Sequence, residues 1–231
     1  MITFAAKQRR RLSQSDWLLT LLTALFILIV FVFAPLQAMG LFFFHAGAMT
    51  ALLAIIASMM VISASAFALA LMSVALLANV VVFFMRIYHP WPYDLHLLAG
   101  AWLIIAVTLG AVVTRAVFGP GYITYHRIIG AILVYLLIAV AFATLFTFVG
   151  ISIPGVFKGI TFQDDRTLAS EVFYLSFVTL TTTGYGDIIP LHPLARSLCN
   201  MEAIVGQVYP ATLLARLVTL ELGEREPSSR R

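Results

Sequence analysis

Thr179-Leu180-Thr181-Thr182-Thr183-Gly184-Tyr185-Gly186-Asp187 is a polar, glycine-rich run set between strongly apolar segments. Backbone without helix or sheet partners is not tolerated against lipid. At membrane depth it survives only when buried in protein or lining a water-filled path. Consecutive carbonyl oxygens suit such a path. The two glycines allow backbone angles that other residues resist, and Thr182 adds a hydroxyl oxygen below them.

Working outward, Thr182-Thr183-Gly184-Tyr185-Gly186 resembles the selectivity filter of potassium channels, usually written T-V-G-Y-G. The likeness extends upstream as T-x-T-T-x-G-Y-G and downstream as Asp187-x-x-Pro190. Thr183 stands where Val is commonest; its side chain is close to Val in size and its carbonyl is unchanged. Relatives with an acid in place of Tyr185 also pass sodium, so the resemblance implies potassium selectivity. It covers about Arg127 to Leu222 and implies a two-helix pore module: outer helix, re-entrant pore helix, filter and inner helix. One chain carries one filter strand, so the resemblance implies a homotetramer around K+ as permeant ion, with no other cofactor.

The surrounding chain is membranous. Of 231 residues, 62% are hydrophobic and 10% charged, against about 45–50% and about 25% in soluble domains. No Asp, Glu, Lys or Arg occurs from Trp17 to Met85. The net charge of +4 raises a nucleic-acid reading, but the basic residues sit at the ends of apolar spans, as membrane topology requires. The single Cys199 excludes an intrachain disulfide and a multi-cysteine metal site.

The expected architecture is an all-α integral membrane protein with six transmembrane helices, a re-entrant pore helix and a filter loop. Residues 1–16 form a cytoplasmic leader and 17–125 a four-helix membrane domain. Residues 126–222 form the pore domain and 223–231 a cytoplasmic tail. The first span is Trp17 to Phe33, closed by a turn from Pro35 to Gly40; a cleaved signal peptide is the competing reading, but the run exceeds the usual core of about 7–15 residues. Leu41 to Met85, 45 uncharged residues, is long enough for two spans, with Ser63-Ala64-Ser65 as the expected turn. His45 lies in the second span as a packed neutral side chain. Arg86 to His96 reads as an interfacial loop, and Leu97 to Phe118 as the fourth span. The fifth runs from about Ile128 to Gly150. Ser170 to Thr181 is too short to cross and suits the re-entrant helix. Thr167 or Ser170 is its candidate cap, Glu171 lies in its first turn, and Phe173, Tyr174, Phe177 and Leu180 are its expected packing face. The sixth span runs from Pro193 to Leu222.

Threading six spans from a cytoplasmic leader puts ten of the 14 basic residues inside and four outside, in accord with the positive-inside rule. A cell (inner) membrane with both termini cytoplasmic is expected. A voltage sensor would place Arg or Lys at every third position of the fourth span; Leu97 to Val113 has none. The short tail is expected to hold no nucleotide- or calcium-sensing domain.

Individual residues carry expectations of their own. Carbonyls of Thr182, Thr183, Gly184 and Tyr185, with the Thr182 hydroxyl, would replace the water of a potassium ion, and Gly186 completes the motif. Asp187 follows at the outer mouth, with Tyr174 as its candidate hydrogen-bond partner. In some relatives a pore-helix carboxylate braces the filter; the matching position here is Val178. Glu202, an acid inside an apolar span, is either functional or a structural partner, by ion pair with Arg196 or by hydrogen bond. Gly206 matches the family's gating hinge, with close helix packing as the alternative. Pro210 is expected to kink the helix, and Tyr209 faces the cavity or packs. Competing functions are a cation transporter and a weakly selective or modulatory channel subunit. A transporter usually shows paired interrupted helices, and only one filter-like segment is present. No His-Glu-x-x-His, Gly-x-Ser-x-Gly or paired intramembrane acids point to an enzyme.

Overall fold

The computed structural model describes residues 17, 19–40, 66–88, 93–119, 125–163 and 167–225. Its elements in chain order are α1 (Leu19–Ala38), α2 (Ala66–Tyr88), α3 (Asp94–Phe118), α4 (Tyr125–Ser152), β1 (Phe157–Lys158), α5 (Leu168–Leu180), β2 (Ile189–Pro190) and α6 (Pro193–Arg225). The molecule is mostly helical. By length and composition α1, α3 and α4 are able to cross a membrane. Helix α6 is long enough to cross, but Asn200, Glu202 and Gln207 interrupt its apolar character. His45, the Ser63-Ala64-Ser65 turn and the leader lie outside the described residues.

Helix α1 corrects one expectation. The segment after Phe33 is no turn: α1 continues through Pro35 to Ala38, and only Met39 and Gly40 turn. A proline lacks an N–H and its ring crowds the carbonyl four residues back, here Phe31. The chain absorbs this by widening. Ile29–Phe33 forms a π-helical turn, with the Ala34 N–H bonded to Ile29 O, a known accommodation within helices.

Helix α3 starts three residues earlier than expected, with Asp94 in its first turn, where its charge suits the positive end of the helix dipole. It ends at Phe118, with Arg115 in the last turn and Gly119 beyond. The expected loop from Arg86 to His96 is therefore shorter, since 86–88 and 94–96 are helical.

Helix α4 is the central element, buried on several faces rather than along one stripe, as expected of a helix surrounded by protein. On one side Leu133, Leu137 and Val140 join Leu22 and Phe26 of α1, Met72 of α2 and Leu109 of α3 in one core. On the other, Ala143 and Phe146 join Val156, Phe157, Val172, Leu175 and Ala195 in a second core beneath α5. Phe146 is fully buried and meets Phe157 edge-on at 5.6 Å.

The strands qualify the all-α expectation. β1 pairs antiparallel with β2, Phe157 opposite Pro190 and Lys158 opposite Ile189. This sheet joins the stretch after α4 to the stretch after Asp187. Leu191 N–H donates to Val156 O at 2.9 Å and extends the joint.

Candidate functional site

Helix α5 delivers the Thr- and Gly-rich run. Thr167 stands at its N-cap without a capping side-chain bond, and Glu171 lies in its first turn. The face that packs is Leu168, Val172, Leu175, Ser176 and Leu180, rotated from the expected one. Of the expected set only Leu180 is fully buried; Phe173 and Phe177 are half-buried and Tyr174 is exposed. The reason is chemical. Tyr174 turns outward to the run itself, and Phe177 meets Phe31 of α1 with ring centroids 4.9 Å apart.

Beyond Leu180 the backbone changes character. Thr182 has φ 58°, Gly184 φ 51° and Gly186 φ 79°, while Thr183 and Tyr185 between them keep negative φ. Such alternation gathers N–H groups on one side of the chain and carbonyl oxygens on the other. Two glycines take this conformation freely. Thr182 does not; a β-branched residue at positive φ is strained by about 1–3 kcal/mol. Its surroundings hold it there. Thr182 N–H donates to Thr179 O at 2.9 Å, its hydroxyl donates to Thr181 O at 2.7 Å, and Gln207 Nε2 donates to Thr182 Oγ1 at 3.0 Å. Val178 O accepts from both Thr183 N–H, 2.8 Å, and Gly184 N–H, 3.1 Å. Residues Thr181 to Asp187 are exposed in the single chain.

Thr183 satisfies its additional hydroxyl locally. The Thr181 hydroxyl gives its proton to Phe177 O at 2.7 Å. In the 3.0 Å contact between Thr181 Oγ1 and Thr183 Oγ1, Thr183 therefore donates.

At the far end, Tyr174 Oη donates to Asp187 Oδ2 at 2.7 Å, and the Tyr174 and Tyr185 rings lie parallel, 6.3 Å apart and 5° from coplanar orientation. The hydrogen bond from Tyr174 lowers the Asp187 pKa below the ordinary carboxylate value. The same bond, then desolvation, pushes the Tyr174 phenol up to about 12. Gly159, at φ 92° after β1, lies so close to Asp187 O that a Cβ there would overlap it.

Glu202 and Arg196 part company. Arg196 Nε donates to Pro190 O at 3.1 Å. Glu202 is fully buried, and its Oε1 lies 2.5 Å from Ser176 Oγ, which lies 2.6 Å from Ala139 O. Six residues along a helix leave two side chains about a third of a turn apart, which excludes the ion-pair alternative. Ser176 has one proton and two oxygens beside it; both contacts are hydrogen bonds when the carboxyl carries a proton of its own and donates it. Among the described residues Glu202 Oε2 has no hydrogen-bond partner. Glu202 thus brings a carboxyl from α6 to α5.

Gly206 presses on the end of α5: a Cβ would overlap the Leu180 carbonyl oxygen, so the geometry supplies the close-packing role. Pro210 sits inside α6, which continues through it to Arg225; lacking an N–H, it leaves Gly206 O without its helical partner. Tyr209 packs rather than facing open space, donating to Ala131 O at 2.8 Å and lying 5.8 Å from the Tyr135 ring. Cys199 is a half-buried free thiol.

Ser176, Gln207, Gly159 and Tyr135 were not singled out by sequence reasoning. Gln207 offered a signal, a polar side chain in an apolar span beside Gly206; the others depended on distant partners. Among the described residues no three His, Cys, Asp or Glu side chains gather as a metal site would require.

Residues 134–221 match the family model described as Ion channel. The match runs from within α4 through α5 and the exposed run into α6, and it supports an ion channel. A stretch of 56 residues is 38% identical to Protein LctB of Bacillus caldotenax, covering 24% of this chain and 41% of that protein. The matched stretch thus spans less than half of that relative. No solved structure gives a significant match.

Proposed function

We propose that the chain is one subunit of a homotetrameric, potassium-selective channel in the cell (inner) membrane, threaded six times with both termini cytoplasmic. The observation that supports this reading best is the alternation of positive φ at Thr182, Gly184 and Gly186, directly after the C-terminal end of α5. A cation entering a low-dielectric path loses hydration worth on the order of tens of kcal/mol unless oxygens replace it. Four copies of the Thr182, Thr183, Gly184 and Tyr185 carbonyls, with four Thr182 hydroxyls, supply that replacement. The negative end of the α5 dipole adds to it. Several sites in file let ion repulsion drive release.

Asp187, Tyr174, Arg196 and Glu202 then serve as supports. Asp187 and Tyr174 clasp the outer end, Arg196 ties α6 to β2, and Glu202 ties α6 to α5. Gly206 and Pro210 form the weak point of the inner helix. Protein reconstituted in liposomes is expected to pass K+ and Rb+ and exclude Na+; equal Na+ flux rejects the selectivity. Tyr185→Asp is expected to weaken the preference for K+, and an unchanged preference places the filter elsewhere.

A further inference from the structure

We propose that Gln207 is a positioning residue for the innermost ion site, aiming the Thr182 hydroxyl oxygen at the ion path. The inference rests on the reading of residues 182–186 as a potassium filter and adds a residue outside the motif. Gln207 follows Gly206, and the missing Cβ there brings α6 against the Leu180 carbonyl. From that seat its Nε2 reaches Thr182 Oγ1 at 3.0 Å.

A hydroxyl has one proton and two lone pairs. The Thr182 proton is committed to Thr181 O at 2.7 Å, so the neighbouring Gln207 group must be the donor, as the Nε2 placement has it. The amide fills one lone pair. One remains, and two tethers fix its direction. Without the amide, the hydroxyl oxygen keeps both lone pairs for water and its rotor loses one of its two constraints. Both residues are exposed in the single chain, on the surface that a tetramer would turn inward. A glutamine amide turned to lipid would be costly, which is a second reason for it to face the filter.

The test is a double-mutant cycle on the full-length protein. The K+ concentration giving half of the potassium-specific rise in melting temperature is measured for wild type, Gln207→Met, Thr182→Val and the double variant. Gln207→Met is expected to raise that concentration about fivefold in wild type and to add nothing once the Thr182 hydroxyl is gone. No change in wild type, or the same rise in both backgrounds, overturns the assignment. Should Gln207→Met fail to fold, Gln207→Asn keeps the amide but withdraws it by one methylene. It is expected to show the same loss and the same dependence on Thr182, and unaltered K+ dependence in Gln207→Asn is equally fatal. A wild-type protein that K+ protects no better than Na+ refutes the filter reading itself, before any variant is compared.

Discussion

At the scale of single residues, the clasp between Tyr174 and Asp187 makes a pH statement. The Asp187 carboxyl is held below its ordinary value of 3.8 by the Tyr174 hydroxyl, so its share of stability is present above that value and fades as pH falls through the lowered one. Tyr174 moves the other way. Its contribution is complete below 10.0 and is lost as pH rises through about 12. The clasp is therefore expected to hold unchanged between about pH 5 and about pH 9. Tyr174→Phe should return Asp187 toward 3.8, as read by a carboxyl-carbon NMR titration; an unmoved titration would show that the phenol is not the cause. This pair was legible in the sequence, because one partner ends the motif and the other lies on the helix that presents it. The bond between Ser176 and Glu202 was not. It depends on the rotation of α6 about its axis, which residue spacing alone does not settle when apolar side chains cover nearly every face.

At the scale of elements, α5 is held by a helix on each side through one buried polar chain, Ala139 O to Ser176 to Glu202. Removing the middle link leaves a buried carboxyl without a partner, so Ser176→Ala is expected to destabilise by about 1–3 kcal/mol. Glu202→Gln keeps a group that can donate to Ser176 and is expected to cost less. Thermal unfolding of the two variants ranks them, and Glu202→Gln proving the worse would mean that the carboxyl charge itself matters. Long apolar runs made the helices legible, and α3 ends at the expected Phe118. The two strands escaped notice because two residues carry no alternation to detect. The passage of α1 through Pro35 escaped for another reason: proline breaks an ordinary helical turn, and only the widened π turn allows it to stay.

At the scale of the whole molecule, the end of α3 and the lower part of α6 are joined. Arg216 donates to Phe118 O at 2.8 Å and its guanidinium lies 4.6 Å from the centre of the Phe118 ring. A cation over an aromatic ring at a helix C-terminus combines two favourable terms, each about 0.5–1 kcal/mol. Arg216→Gln is expected to loosen α6 by about 1 kcal/mol, seen as faster amide exchange in α6 after Pro210 with little change around Thr182. Equal acceleration at both places would show the helix moving as one rod. Helices α3 and α4 were legible from hydropathy, whereas this tie was not, since an arginine at the end of an apolar helix is explained by the membrane boundary alone. The contact of Phe31 with Phe177 carries a different consequence. The wide turn of α1 adds a residue to its winding, and each helical residue turns the chain by about 100°. Ala34–Ala38 also packs on α5, so deleting one residue from 29–33 would swing that segment off α5, while a cut nearer the start would leave that face in place. The leading helix is thus indexed to α5 by phase, like a key cut to a single notch.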